Sequence, residues 1–325
     1  MYNEELNIES ALDSFLAQVS SVSDLELIVV DNESSDRSYE IAKATLDNFN
    51  CKSLRADLYR IGHCSLSESR NFAISKSQGE YVFFIDSDAV VCDGWLEEVI
   101  GVLDRCDPGK DYIFSGRVLN SSKSSVSKLF FESMVKQNFC DASTSFQVIG
   151  ANMGFSANLL SNFHFIKGYT RGDESALVAQ IFRDNYEVQK INVPNAVVAN
   201  QFPDSLASWL VLFFREGFNR EKIDHQILGK KTMLRLITWF LALFLSVCLV
   251  YFSLSSSLAW LSVISVLFLL IFLANRGYLW LVYYSTKLLG RFYYMLRALL
   301  GREIIRLDRI QGVEICHHSF FSCPD

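Results

Sequence analysis

Basic residues are not in excess in this sequence: 30 Lys and Arg stand against 36 Asp and Glu, a formal charge of −6. Nor do they gather in a soluble block of the kind that tracks a phosphate backbone, so nucleic acid is excluded as an expected partner. Cys-x-x-Cys pairs are absent. The eight cysteines, at 51, 64, 92, 106, 140, 248, 316 and 323, follow no regular framework. That argues against structural zinc and against a secreted disulfide scaffold, and it predicts a reducing, cytosolic face. The opening Met1-Tyr2-Asn3-Glu4-Glu5 has no basic segment followed by an apolar run, so no signal peptide is read there. Internal repeats are lacking too. What is present is length and apolar content: 325 residues, 50% of them hydrophobic, suffice for a substantial core in one large domain or two smaller ones.

One absence points to a membrane. Leu236 to Ala274 contains no charged residue, long enough for two spans of roughly 18 to 20 residues each. Ser253-Leu254-Ser255-Ser256-Ser257 is the natural turn between them, which predicts a hairpin over about 234–253 and 257–275. Lys230, Lys231 and Arg235 precede it and Arg276, Lys287 and Arg291 follow, so the positive-inside rule puts both ends in the cytoplasm. A buried soluble helix is the alternative, but it would leave too large an apolar surface to cover. Residues 276–325 read as an interfacial helix, rich in Tyr and Trp with snorkelling Lys287, Arg291 and Arg297, and a cytoplasmic tail.

Residues 1–228 read as one α/β domain. Ile8, Leu12, Phe15, Leu16 and Val19 form a helical stripe after Asn7, a plausible cap. Leu25 to Val30 is a strand, Tyr39 to Leu46 a helix, and a short strand is expected near Lys52 to Ala56. A helix through Ser67, Arg70, Phe72 and Ile74 ends before Gly79; Trp95 to Leu103 and Ser175 to Arg183 are further helices. Leu206 to Ile227 is the last, leading into the hairpin.

The most informative stretch is Glu80-Tyr81-Val82-Phe83-Phe84-Ile85-Asp86-Ser87-Asp88. An apolar run without alternation predicts a parallel strand covered on both faces, and open α/β sheets place ligands beyond the carboxyl ends of such strands. Asp86 and Asp88, spaced to share a face of extended chain, can present oxygen to a hard divalent cation that also holds a diphosphate. An isolated Asp-x-Asp is more often a solvated turn, so the surrounding segments decide.

Those segments agree in order and spacing, and the chain resembles the family-2 glycosyltransferases over nearly all of residues 1–227. Tyr2-Asn3-Glu4-Glu5 is similar to the family's Tyr-Asn-x-Glu, and Val29 to Asp36 to its nucleotide-binding turn. Ser69-Arg70-Asn71 is similar to its Ala-Arg-Asn, Asp86-Ser87-Asp88 to its Asp-x-Asp, and Gly172-Asp173-Glu174-Ser175-Ala176-Leu177 to its Gly-Glu-Asp-x-x-Leu. The resemblance implies the GT-A fold, a Rossmann-like mixed sheet that binds nucleotide-diphospho-sugars. It also implies Mg²⁺ or Mn²⁺ at Asp88 and Asp86, with a nucleotide-sugar site built from Tyr2, Glu5, Asp31, Arg70 and Asp86. Asp31 can equally cap the next helix, Tyr2 can be a core aromatic and Arg70 a solvated helix residue. Gly150 and Asn152, similar to the family's Gly-x-Asn, would shape the acceptor side, or simply form a tight loop.

An inverting transfer needs a general base on the acceptor hydroxyl. By resemblance the base is the second carboxylate of Glu-Asp, which aligns with Glu174; the order here is reversed, which leaves Asp173 open for the role. The helix N-terminus is expected to keep Glu174 ionised, and both carboxylates would favour that terminus even without catalysis. Family members also carry an apolar strand directly before Tyr-Asn-x-Glu, and none precedes Tyr2. Either the start is mis-assigned, or this form has a sheet without its central first strand and a nucleotide site short of one wall.

The implied function is a membrane-anchored inverting glycosyltransferase at the cytoplasmic face, with a lipid-linked or glycan acceptor. Its domain, its helix with Arg215-Glu216-Gly217-Phe218-Asn219-Arg220 and its terminal membrane segment look most like bacterial exopolysaccharide enzymes of the succinoglycan type. Transfer to a polyprenyl phosphate is the enzymatic alternative. A degenerate paralogue that binds a partner instead of catalysing is the other.

Overall fold

In a computed structural model, residues 1–19, 24–49, 54–138, 148–228, 286–291 and 293 are described. They form two units, one running to Ser205 and one starting at Leu206. The domain expected over 1–228 covers the first unit to Ser205 and the beginning of the second.

The first unit alternates helix and strand. Helix α1 (Ile8–Leu16) buries Ile8, Leu12, Phe15 and Leu16, the residues that carry its apolar stripe. Asn7 precedes it without capping it through its side chain, which donates instead to Glu4 Oε2 at 2.9 Å. Strand β1 (Leu25–Asp31), helix α2 (Ser38–Asn48), strand β2 (Leu54–Arg60) and helix α3 (Leu66–Lys76) follow. Then come β3 (Tyr81–Ile85), β4 (Ala89–Val91), α4 (Trp95–Leu103), β5 (Tyr112–Asn120) and α5 (Ser125–Asn138). The unit continues through β6 (Asn152–Ser156), α6 (Ala157–Asn162), α7 (Asp173–Arg183) and β7 (Gln189–Asn200). The strand expected at 52–56 lies further on, at β2, where Leu54 and Leu58 pack on the core while Arg55 and Asp57 form an ion pair of 2.9 Å.

The strands make two sheets. β1 and β2 pair in parallel, Leu25 opposite Leu54 through Asp31 opposite Arg60. A mixed five-stranded sheet has the order β3-β6-β5-β7-β4. Among the described residues β1 pairs with no strand but β2, and β3 with none but β6. β1 and β3 therefore belong to different sheets. Met1 lies beside β1: its nitrogen donates to the Val30 carbonyl at 2.6 Å, and the Asn32 N–H donates to the Met1 carbonyl at 2.9 Å.

The apolar run of β3 does not mark a parallel neighbour, because its partner β6 is antiparallel. It does mark coverage on both faces. Successive side chains of a strand point oppositely, so Tyr81, Phe83 and Ile85 pack against a core shared with α1, β1, α2 and α4. Val82 and Phe84 pack against a second core that includes Phe155, Leu159, Phe165, Leu177 and Ile181. Beyond Ile85 the chain does not stay extended. The Ala89 N–H donates to the Asp86 carbonyl at 3.0 Å, closing a turn that carries both acidic side chains.

The β5–β7 ladder contains a break that a side chain repairs. Gly116 lies opposite Val193, but the next residue, Arg117, lies opposite Val197, so Pro194, Asn195 and Ala196 bulge out. Proline has no N–H for a ladder and is confined to such places. Asn152 Nδ2 donates to the carbonyls of Arg117 and Ala196, at 3.0 and 2.8 Å, and its Oδ1 accepts from the Trp95 indole at 3.0 Å. Gly116 makes room, since a Cβ there would meet Asn152 Nδ2 at 2.2 Å.

In the second unit, α8 (Leu206–Leu228) packs against helical residues 286–291, with glycines at the crossing. A Cβ on Gly217 would lie 1.9 Å from the Lys287 carbonyl oxygen, and one on Gly290 1.9 Å from that of Phe214. Lys287 pairs with Glu216 at 2.5 Å and Arg291 with buried Glu221 at 2.8 Å. Among the described residues no helix is long and apolar enough to cross a membrane. The spans expected at 234–253 and 257–275 lie outside the described residues, as does most of the interfacial segment and tail expected at 276–325.

Candidate active site

Helix α3 sets the base of the site. Its N-terminus is closed by a capping box: Ser65 Oγ accepts from the Glu68 N–H at 3.4 Å, and Glu68 Oε2 accepts from the Ser65 N–H at 3.2 Å. Its buried face is polar, made of Ser67, Ser69 and Arg70. These groups hold the loop that leads to α7. Ser67 exchanges hydrogen bonds with the backbone of Tyr169, and Asn71 does the same with Phe165, donating at 2.8 Å and accepting at 3.0 Å.

Arg70 lies at the centre, 7% exposed. Its Nη1 donates to both oxygens of Asp173 at 2.9 and 3.0 Å; its Nη2 donates to Asp86 Oδ1 and to the Gly150 carbonyl, each at 3.1 Å. The guanidinium also lies over the rings of Phe84 and Phe165, at 5.7 and 5.6 Å. Arg70 is thus neither a solvated helix residue nor a free donor group.

Asp173 and Glu174, adjacent in sequence, are held differently. Helix α7 begins at Asp173 after Gly172, whose φ of 72° is left-handed. Asp173 is fully buried and occupied by Arg70. Glu174 is half-buried; its Oε1 accepts from the Ser175 hydroxyl at 3.2 Å, and its Oε2 lies 3.4 Å from where a Cβ on Gly150 would be. Burial first, and the neighbouring Asp173 charge second, push its carboxyl up to about 7, against the opposing pull of Arg70. The helix N-terminus expected to keep Glu174 ionised works against that upward push. A terminus is worth about 0.3 to 1 kcal/mol, less than one pKa unit of about 1.4 kcal/mol.

Asp86 and Asp88 face the same region from the turn after β3. Asp86 is tied to Arg70. Burial, then the charges of Asp86 and Glu4, push the Asp88 carboxyl well above the usual carboxylate range. That mutual repulsion is what a bound dication relieves, and Mg²⁺ is typically held by one or two carboxylates with phosphate oxygens and water completing the shell. The two aspartates therefore fit such an ion as partial ligands. Among the described residues no group of three His, Cys, Asp or Glu forms a complete protein cage.

On the β1 side, Asp31 is fully buried; its carboxylate accepts from the Ser34 hydroxyl at 2.5 Å and pairs with Arg60 Nε at 3.3 Å. It stabilises the turn after β1 and does not cap α2, which starts after Arg37. The Tyr2 ring packs against His63, centroids 5.1 Å apart, rather than inside the core. Two candidates are not brought to the acidic turn. Glu5 accepts from the Arg37 N–H at 3.2 Å, at the start of α2, and Asn152 is engaged within the sheet. The acidic residue near Asp88 is the buried Glu4, one position earlier than expected. Glu4 and Ser67 were not assigned a role from the sequence; burial of a polar residue is the property that marks them, and spacing does not show it.

An α/β domain with a mixed sheet and an acidic turn at a strand end places its candidate site at the carboxyl edge of that strand, where open α/β sheets bind ligands. Residues 1–162 match the family model described as "Glycosyl transferase family 2", and the chain carries a domain of that family. It is 29% identical over 105 residues to the "Minor teichoic acid biosynthesis protein GgaB" of Bacillus subtilis (strain 168), covering 32% of this chain and 11% of that protein. To the "Uncharacterized glycosyltransferase EpsJ" of the same organism it is 33% identical over 99 residues, covering 30% of this chain and 27% of that one. The chain thus spans well under half the length of these relatives. The solved "Mannosyltransferase PcManGT from Pyrobaculum calidifontis in complex with GDP-Man and Mn2+" is similar in fold: TM-score 0.64, 18% identity, covering 93% of this chain and 86% of that one.

Proposed function

We propose that this protein transfers a sugar from a nucleotide-diphospho-sugar to an acceptor hydroxyl with inversion, assisted by Mg²⁺ or Mn²⁺. The observation that carries the reading is the convergence of the Asp86–Asp88 turn with the half-buried, proton-accepting Glu174. Glu174 is the base in this reading. Its carboxyl near 7 gives it a substantial ionised fraction at neutral pH and enough basicity to take a proton from a hydroxyl as the bond to the sugar forms. Asp173, with both oxygens taken by Arg70, serves as that residue's counter-ion. Asp86 and Asp88 would hold the dication, which when bound neutralises charge growing on the leaving diphosphate. Tyr2 and Asp31, at the end of β1, would flank the nucleotide.

The acceptor in this reading is lipid-linked or a growing glycan, met at the cytoplasmic face of a membrane in the manner of bacterial exopolysaccharide enzymes of the succinoglycan type. Support comes from the uncharged run Leu236 to Ala274 between basic flanks. Transfer to a polyprenyl phosphate uses the same donor site and is distinguished by the acceptor alone.

The test uses the full chain in detergent with Mn²⁺, a panel of UDP- and GDP-sugars, and glycan, lipid-linked and polyprenyl-phosphate acceptors. Release of nucleoside diphosphate that depends on both metal and acceptor is expected. Failure of every nucleotide sugar both to bind and to react would refute the proposal.

A further inference from the structure

Three separate segments end on one buried guanidinium. Arg70 Nη1 holds Asp173, the first residue of the helix that carries Glu174; Nη2 holds Asp86 of the acidic turn and the carbonyl of Gly150. Both terminal nitrogens are committed to protein acceptors, Nη1 to the Asp173 carboxylate and Nη2 to Asp86 and Gly150, and Phe84 and Phe165 flank the plane. Gly150 is confined on the same side: a Cβ there would stand 3.3 Å from Arg70 Nη2 and 3.4 Å from Glu174 Oε2. The guanidinium and the Glu174 carboxylate therefore meet the same glycine. Planar, two-pronged contacts of this kind fix orientation as well as charge, and an ammonium group cannot reproduce them.

We propose that Arg70 is the positioning residue of this site. It locks the base helix, the Gly150 loop and the acidic turn in one register, so that Glu174 faces the acceptor, and it makes no direct contact with the donor nucleotide. The inference rests on the proposed transferase reading and separates Arg70 from the nucleotide-binding role that its motif implies. Asp173 is the other half of the device. Its place beside Glu174 in the chain means that any slip of the Arg70–Asp173 pair moves the base.

Two quantities separate the roles in the full-length protein: affinity for UDP and GDP with Mn²⁺, measured by calorimetry, and turnover of whichever nucleotide sugar the parent uses. Arg70→Lys keeps the charge and loses the fork. It should lower kcat by about a hundredfold, the scale of an ångström of misplacement, while nucleoside-diphosphate affinity stays within about twofold. Asp173→Asn should give the same split. In the double variant the loss should not exceed the larger single loss, because both changes break one unit. A tenfold or greater weakening of nucleotide binding by Arg70→Lys with kcat retained would make the guanidinium a donor contact and overturn the inference, and so would additive losses. If Arg70→Lys loses its near-ultraviolet circular dichroism, and so its fold, Asp173→Asn decides alone by the same split. A parent that releases no nucleoside diphosphate from any nucleotide sugar overturns the transferase reading and this inference with it. An active parent whose variants lose nucleotide affinity overturns only the inference.

Discussion

Glu174→Gln exchanges the half-buried carboxylate for an amide of nearly the same shape. It removes the proposed proton acceptor without opening a cavity. A positioned base contributes about 10² to 10⁴ in rate, so kcat should fall by that factor. Donor affinity should stay put, because the side chain meets Gly150 and Ser175 rather than the acidic turn. The pH profile carries the sharper test. With its carboxyl near 7 rather than at the 4.5 of an ordinary glutamate, the parent has about half its Glu174 ionised at pH 7 and about a tenth at pH 6. Turnover should therefore fall about tenfold per unit below pH 7 and level off above about pH 8. In Glu174→Gln the residual rate should lose that acid limb. Turnover measured between pH 5.5 and 8.5 at saturating donor and Mn²⁺ decides the matter. A parent rate flat across that range, or an acid limb that survives the substitution, would refute the assignment of the base.

Asp88→Asn should abolish metal-dependent transfer and chelation should do the same to the parent, while the metal-free melting temperature should not fall, because the substitution removes a carboxylate that burial and its acidic neighbours oppose. The sign comes from linkage: for a carboxyl raised in the fold, stability falls as pH rises from its unfolded pKa to its folded one, and the full cost is present above the folded one. Asn152→Ala should destabilise the fold by about 3 kcal/mol, the low end of about 1 kcal/mol for each of three buried groups left unpaired. A melting temperature about 6 to 12 °C lower would register it. Deleting residues from Leu234 onward should release the protein from membranes, and tags at both termini should be reached from the cytoplasm; a C-terminal tag reached only from outside would reverse the proposed topology.

Much of the α/β layout was legible because its signals are local. The stripe Ile8, Leu12, Phe15, Leu16 repeats at the helical period, and Tyr81 to Ile85 is an apolar run closed by carboxylates; both specify their elements whatever surrounds them. β7 was not legible, since Pro194 interrupts it and the repair comes from Asn152, distant in the chain. Nor could spacing show that Glu4 rather than Glu5 turns inward, because both precede the same helix and only packing chooses between them. By itself, the order of motifs determined the family of the domain and the list of acidic residues from which a site could be built. The roles within that list were decided by tertiary structure. Arg70 and Asp173 stand 103 positions apart, and whether a guanidinium meets a nucleotide or a buried carboxylate depends on how α3 and α7 pack. The pair also gives Asp173 and Glu174, adjacent acids of similar intrinsic chemistry, different surroundings. Once one of them is buried against a fixed cation, the other is left half-buried beside a like charge, which raises its carboxyl, a difference that burial and geometry create and composition cannot.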